Sequence, residues 1–96
     1  MRFSATATTL TGVTAKGTFT REGTVAADPA ILPLGSRIRV SGAGAYSGVY
    51  RVTDTGSGIK GHEIDIYMRS PHEAHRFGRK TVTVRVLSRG NNQRSR

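Results

Sequence analysis

A glycine-rich segment between two aspartates, residues 53–67, constrains this chain more than any other feature. Asp54 ends one strand-like run, and Asp65 lies inside the next one. Between them lie three glycines, which let a backbone take positive φ and turn back tightly: Gly56, Gly58 and Gly61. A strand, a glycine return and a second strand would therefore bring the two carboxylates close together.

The second of these runs, residues 63–67, alternates apolar and polar side chains. Ile64 and Ile66 fall on one face and Asp65 on the other, because successive side chains of a strand point to opposite faces. Paired carboxylates in a cleft are common in enzymes that cleave glycosidic bonds. The competing interpretation is that the aspartates cap glycine turns by accepting hydrogen bonds from backbone N–H groups.

The remaining pattern is mainly that of short strands. Alternating or β-branched segments predict strands at residues 3–10, 24–27, 36–40, 49–53, 63–67 and 81–87. The one helix signal is Ser70 as N-cap, Pro71 at N1 and Glu73 at N3, with Gly78 as the stop. Because closure removes exposed strand edges, these strands favour a small closed barrel, with an open sheet covered by a helix as the competing architecture.

Length and composition limit the class of protein. A chain of 96 residues forms one domain with a modest core, and the lack of Cys excludes disulfides and thiolate metal sites. We predict a domain at residues 3–88 and a disordered basic tail at residues 89–96. No apolar run is long enough to span a membrane, and the first residues lack the apolar centre of a signal peptide.

The net charge is +9, from 15 Lys+Arg against 6 Asp+Glu, and it favours an anionic partner. Nucleic acid is one candidate, and a bacterial wall with peptide carboxylates and phosphate polymers is another. Aromatic residues make up only 6% of the chain and Trp is absent, so bases have little to stack on and nucleic acid is the weaker candidate. The remaining interpretation is that the charge serves solubility alone.

Motifs along the chain resemble those of the 3D domain family, which is named for three aspartates. Residues 25–36 resemble its VAVDP…IPLG signature, and residues 54–67 resemble DTGGxIKGxxIDLY. Residues 73–80 resemble its EAxxFGRR segment, and residues 5–7 with 14–17 resemble its opening ATAY…TAxG. The motifs cover nearly the whole chain in the family's order and spacing.

The resemblance implies an all-β fold, a six-stranded double-psi β-barrel with one short helix. It also implies kinship with membrane-bound lytic transglycosylase A and with stationary-phase survival wall enzymes. The expected activity is that of a peptidoglycan lytic transglycosylase, which cleaves the bond between N-acetylmuramic acid and N-acetylglucosamine and forms a 1,6-anhydro ring. By motif match, Asp65 takes the role of catalytic acid.

The same resemblance places Asp54 and Asp28 in the catalytic set beside Asp65. We expect burial and the charge of Asp54 to raise the pKa of Asp65, as a general acid requires. Four further residues are candidates for contact with the sugar: Thr6, Thr14, Lys60 and Tyr67. Two departures from the family pattern, Thr8 in place of Tyr and Ser57 in place of Gly, bear on the fit of the substrate.

Three histidines raise the question of a metal site. His72 and His75 form an i,i+3 pair on the predicted helix, and His62 lies apart from them with no third ligand evident. We therefore expect no metal and no cofactor.

The expected partner is the glycan strand of peptidoglycan, and the expected state is a monomer. The expected location is extracytoplasmic, provided that the natural chain carries a signal or belongs to a larger protein. The alternative function is a non-catalytic module that binds wall polysaccharide, as expansins do.

Overall fold

The structure is a computed structural model that describes residues 1–9, 23–56 and 58–90. Its elements, in chain order, are β1 Arg2–Thr8, β2 Thr24–Ala27, β3 Arg37–Ser41, β4 Gly48–Asp54, β5 Glu63–Tyr67, α1 Pro71–Phe77 and β6 Lys80–Ser88. A 3-10 helix, Gly44–Tyr46, interrupts the glycine-containing connection between β3 and β4, which the sequence indicated only as a loop.

The six strands close into a barrel in the order β1–β5–β2–β4–β3–β6. Two pairs are parallel, β1 with β5 and β2 with β4, and the other four are antiparallel. The predicted all-β, six-stranded double-psi barrel with one short helix is therefore confirmed, and the open sheet is excluded.

The barrel interior is filled by the apolar side of each strand. Alternation sends every second side chain inward, and four of the largest of these are fully buried: Phe3, Ile38, Ile64 and Ile66. Leu32, in the connection between β2 and β3, is fully buried with them. Burying an aliphatic or aromatic side chain contributes about 1.5–3 kcal/mol. The core thus fixes which face of each strand carries the polar residues that remain outside.

Helix α1 begins and ends where its sequence predicts. The Ser70 hydroxyl accepts hydrogen bonds from the backbone N–H of His72 at 3.1 Å and of Glu73 at 3.3 Å. The Glu73 carboxylate accepts a bond from the Tyr46 hydroxyl at 3.1 Å, so it ties the helix to the 3-10 helix. Phe77 is buried, as expected.

Both ends of the described chain are held by the barrel. The amino group of Met1 donates to the carbonyl of Val84 at 2.9 Å. The backbone N–H of Gly90 donates to the Ser36 hydroxyl at 2.8 Å. Residues 91–96 of the predicted tail lie outside the described residues, and the boundary after Ser88 stays a prediction.

One irregularity in the barrel sets the position of Asp54. Val25 pairs with Val52, but Ala26 pairs with Asp54, so Thr53 is an extra residue in β4. A one-residue slip turns every following side chain to the other face of a strand. Without this β-bulge, Asp54 would not share a face with Ala26.

Replacing Thr53 by Val tests the bulge residue. Thr53 is 4% exposed, and its hydroxyl has no hydrogen-bond partner in the part of the chain that the structure describes. Removing such a hydroxyl should raise the free energy of unfolding by about 1 kcal/mol and the thermal midpoint by roughly 4–8 °C. Circular dichroism during heating measures this.

The control for that experiment is Thr83→Val, an exposed position on β6. Its free energy of unfolding should stay within about 0.5 kcal/mol of wild type. A Thr53→Val protein less stable than wild type would contradict the account, since it would mean that ordered water satisfies the hydroxyl.

Candidate functional site

Four adjacent strands place four residues side by side on the outside of the barrel, and we call these residues the row: Thr6, Asp65, Ala26 and Asp54. Ala26 of β2 is in register with Asp54 of β4 on one side and with Asp65 of β5 on the other. Beyond β5, Thr6 of β1 is in register with Asp65. Neighbouring strands lie about 4.8 Å apart, so the Cα atoms of the two aspartates are separated by roughly 9–10 Å.

The row lies on the outer face because its neighbours in sequence face the core. Val25 and Ala27, which flank Ala26, are fully buried in the barrel interior. Ala26 carries only a methyl group, so no large side chain of β2 separates the two carboxylates. Asp28 follows directly after the end of β2. Asp54 and Asp65 therefore lie on the two sides of Ala26.

Asp65 is half-buried and bonded by its strand neighbour. The Thr6 hydroxyl donates to its Oδ1 at 3.1 Å. Burial raises the pKa of Asp65 above 3.8, and the Thr6 hydrogen bond opposes that shift. The expected direction of the shift is confirmed, and burial is its cause.

Asp54 acts on Tyr67 rather than on Asp65. The Tyr67 hydroxyl donates to Asp54 Oδ2 at 2.9 Å, and the backbone N–H of Thr55 donates to Oδ1 at 2.8 Å. Burial first, and then the bond to and charge of Asp54, raise the pKa of Tyr67, so its hydroxyl stays protonated. The charge of Asp54, which we expected to act on Asp65, thus has a buried phenol as its partner.

This bond also defines the environment of Tyr67. Only 7% of the residue is exposed, so its ring lies among neighbours and its hydroxyl points at a carboxylate. Contact of Tyr67 with a sugar, proposed from the sequence, stays a prediction. The structure supports a role in holding Asp54 in place.

Asp28 braces the glycine return. Its Oδ2 accepts a hydrogen bond from the backbone N–H of Gly61 at 2.7 Å, and its Oδ1 accepts one from Ala30 at 3.0 Å. These two bonds, followed by the nearby charge of Lys60, lower the pKa of Asp28. Gly61 has φ +67°, a conformation that glycine adopts without strain. Asp28 thus makes the loop contacts that the turn-capping interpretation describes.

Other residues of the return have separate tasks. A side chain at Gly56 would meet Ile59 at 2.7 Å, so glycine there permits a close approach rather than a positive φ. Lys60 is exposed, and its backbone N–H donates to Glu63 at 3.2 Å. Its side chain remains a candidate for substrate contact. Thr14 and Ser57 lie outside the described residues.

The histidines do not assemble into a metal site in the described ranges. No three His, Cys, Asp or Glu residues there are grouped so that they could hold an ion. His62 packs edge-on against Phe3, with ring centroids 5.0 Å apart. His72 and His75 are exposed on α1.

A separate pocket of about 430 Å³ lies where the 3-10 helix meets α1 and the start of β6. Tyr46 and Phe77 pack edge to face there at 5.7 Å, and the Lys80 ammonium lies 5.3 Å from the centre of the Phe77 ring. None of the three aspartates lines it. Sequence reasoning missed this pocket because it depends on contacts between distant segments.

Within the described ranges, no helix is both long and apolar enough to cross a lipid bilayer.

The sequence is similar to a known family and to known proteins. The profile of the 3D domain matches residues 23–88. The cell wall-binding protein YocH of Bacillus subtilis (strain 168) is 39% identical over 83 residues, which cover 82% of this chain and 28% of YocH. The SPbeta prophage-derived uncharacterized protein YorM of the same bacterium is 47% identical over 60 residues, which cover 62% of this chain and 25% of YorM.

Comparison of the fold gives a consistent result. MltA from Escherichia coli, described as having a unique lytic transglycosylase fold, superposes with a TM-score of 0.66 and 25% identity over 82% of this chain and 28% of MltA. The structure of E. coli MltA with bound chitohexaose superposes with a TM-score of 0.57 and 20% identity over 78% of this chain and 28% of that one. This chain therefore spans between 25% and 28% of the length of YorM, YocH and MltA.

Substitution of Asp65 and of Asp28 should change stability in opposite directions. Because the folded pKa of Asp65 is raised, the charged form is disfavoured by folding, and stability falls as pH rises through that pKa. We expect Asp65→Asn to have a higher melting temperature than wild type at about pH 7. The difference should disappear below the unfolded pKa of 3.8.

The pKa of Asp28 is lower in the folded protein than in the unfolded chain. The stabilisation that its charged carboxylate gives is therefore present above the unfolded pKa and is lost as pH falls through the folded pKa. We expect Asp28→Asn to melt below wild type at neutral pH and to approach it in acid. Thermal unfolding at several pH values measures both variants. Two shifts of the same sign at neutral pH would contradict the assignment of distinct roles.

Proposed function

Because the chain belongs to the 3D domain family, we propose that it is a lytic transglycosylase domain acting on the glycan strands of peptidoglycan. Asp65 is the single catalytic acid and base. The observation that carries the proposal is its environment: a half-buried carboxyl of raised pKa, with Oδ1 held by Thr6. Such a carboxyl is suited to hold a proton and then to take one back.

The reaction needs two proton transfers at one residue. Protonated Asp65 gives its proton to the glycosidic oxygen of the leaving N-acetylglucosamine, and the bond from C1 of the muramic acid to that oxygen breaks. The C6 hydroxyl of the same muramic acid attacks C1 and closes the 1,6-anhydro ring. The Asp65 carboxylate accepts the C6 proton, so the acid is regenerated and no water is consumed.

The geometry favours one acid over a pair. A retaining or inverting hydrolase uses two carboxyl groups beside the scissile bond. Here both oxygens of Asp54 already accept hydrogen bonds, from Tyr67 and Thr55, and both oxygens of Asp28 accept bonds from the backbone. Within the described residues, Asp65 is the aspartate with an oxygen that no protein donor holds.

Tyr67 and Asp54 act as positioning residues in this scheme. The buried Tyr67 hydroxyl fixes Asp54 at the end of β4. There the Asp54 carboxylate can accept a hydrogen bond from a sugar hydroxyl. Asp28 keeps the glycine return against β2, and thereby places Lys60 at the edge of the site. Thr6 orients Asp65, and Thr14 is proposed to contact sugar as the sequence suggested.

The comparisons support a wall-related role outside the cytoplasm. YocH is named as a cell wall-binding protein, and MltA as a lytic transglycosylase that has been seen with chitohexaose. This chain corresponds to about a quarter of each, so the rest of the catalytic groove is proposed to come from other parts of a longer protein. The domain is proposed to act as a monomer, without a cofactor.

The second candidate is a non-catalytic module that binds wall polysaccharide. The name of YocH favours it, as does the small fraction of MltA that this chain spans. In that case the row around Ala26 would hold sugar hydroxyls through its carboxylates without breaking a bond.

Digestion of purified peptidoglycan distinguishes the lytic transglycosylase from the non-catalytic binding module. Wild type should release muropeptides with 1,6-anhydro ends, detected by mass spectrometry of the soluble fraction. Asp65→Asn should lose roughly 10²–10⁴-fold of that rate, which is the usual contribution of a general acid. Tyr67→Phe should lose less, because Asp54 stays in place but is less firmly held.

Glu73→Gln is the matched control, since it removes a carboxylate on α1 that lies outside the row, and its rate should equal that of wild type. Reducing-end products would indicate a hydrolase. No products from wild type, with both wild type and Asp65→Asn still pelleting with the wall, would overturn the enzyme and leave the binding module.

A further inference from the structure

Four arginines form two register pairs on one side of the barrel. Arg37 of β3 is opposite Arg51 of β4, and Arg39 of β3 is opposite Arg85 of β6. All four are exposed, and their neighbours Ile38 and Val84 face the core. The guanidinium groups therefore project together from strands β4, β3 and β6, and we call this surface the arginine face.

This arrangement has an energetic cost in the isolated domain. Like charges directly opposite each other across a strand pair are destabilising. Apart from Lys80, which begins β6 and is also positive, the other exposed side chains of these strands are uncharged: Ser41, Val49, Thr81, Thr83, Leu87 and Ser88. Asp54, at the end of β4, is engaged by Tyr67 and Thr55. An anionic partner would offset the repulsion between the pairs.

The choice of cation indicates what kind of anion fits. All four positions hold Arg rather than Lys, although Lys16, Lys60 and Lys80 show that the chain also uses lysine. The planar guanidinium binds phosphate or carboxylate oxygens through two parallel hydrogen bonds. Residues 37 and 39 lie two apart on one strand, so their side chains are spaced by about 6.6 Å. The arginine face thus presents cations at regular intervals along and across β3.

The apolar side chains on the same surface help to identify the chemical class of the anionic partner. Val49 is 41% exposed and lies opposite Arg39, and Leu87 is 38% exposed two residues beyond Arg85. No aromatic residue occupies an outward position of β3, β4 or β6 in the described chain. Nucleic acid bases would have no ring to stack on, whereas a flexible chain of alcohol phosphates would match both the cations and the aliphatic groups between them.

We propose that the arginine face binds a polyol-phosphate polymer, a chain in which short alcohols are joined by phosphodiesters. The surface lies on β3 and its two neighbours, whereas the row around Ala26 lies on β4, β2, β5 and β1. The two surfaces meet on β4, which carries Arg51 in the arginine face and Asp54 in the row, and their other residues lie on different strands. This inference goes beyond the glycan-cleaving function and does not depend on it.

The test is a titration of the protein with deacylated poly(glycerol phosphate), followed by calorimetry at several salt concentrations. We expect the logarithm of the binding constant to fall with the logarithm of salt, with a slope near about −3 for four phosphate contacts if the polymer behaves as single-stranded nucleic acid does. Arg39→Gln with Arg85→Gln should weaken binding by roughly 10- to 100-fold and make the slope shallower by about 1.4.

The matched control is Arg76→Gln with Lys80→Gln, which removes the same charge at the pocket beside α1, and its affinity should stay within about twofold of wild type. The Arg39/Arg85 variant should melt at or above wild type, because one like-charge pair is relieved. If both double variants lost the same affinity for poly(glycerol phosphate), binding would depend on net charge alone, and the proposal would be overturned.

Two further arms identify the partner and separate this result from the catalytic one. Tighter binding to a single-stranded oligonucleotide of matched charge, or equal binding to peptidoglycan stripped of phosphate polymer, would also overturn it. The Asp65→Asn protein should bind poly(glycerol phosphate) as wild type does. Polymer binding and glycan cleavage can therefore fail independently.

Discussion

The β-bulge at Thr53 is the constraint on which the outer surface of this barrel depends. One extra residue in β4 changes the partner of Ala26 from Thr53 to Asp54. That change turns Asp54 onto the side of the sheet where Asp65 already lies, since side-chain direction alternates with period two along a strand. The core supplies the rigid frame, because Val25, Val52 and Ile66, which are in register next to the bulge, are fully buried.

The three aspartates carry the same chemical group in three different environments. Asp65 is desolvated and its pKa is raised, whereas Asp28 accepts two backbone N–H groups and its pKa is lowered. Asp54 shares its oxygens with a phenol and a backbone amide. The differences arise from burial and from donors, as general principles of pKa shifts require. On these grounds we propose a proton-holding role for Asp65 and anchoring roles for Asp28 and Asp54.

Local pattern was enough to predict most of the fold. Alternation located all six strands to within a few residues, and Ser70, Pro71 and Gly78 fixed α1. The barrel type came from the resemblance, and the order of strands was not predicted, because parallel pairing of β1 with β5 joins segments far apart in sequence. The bulge was not predictable: Thr53 and Asp54 both read as the end of a strand. The Tyr67–Asp54 bond was missed for the same reason.

The central claim is that burial makes Asp65 the proton-holding member of the three aspartates. Carboxyl ¹³C chemical shifts recorded during a pH titration measure each aspartate separately. The account predicts that Asp65 titrates above 3.8 and Asp28 below it. If Asp65 titrated at or below the value of Asp28, it would not hold a proton more readily than its neighbour, and its assignment as the acid would be wrong.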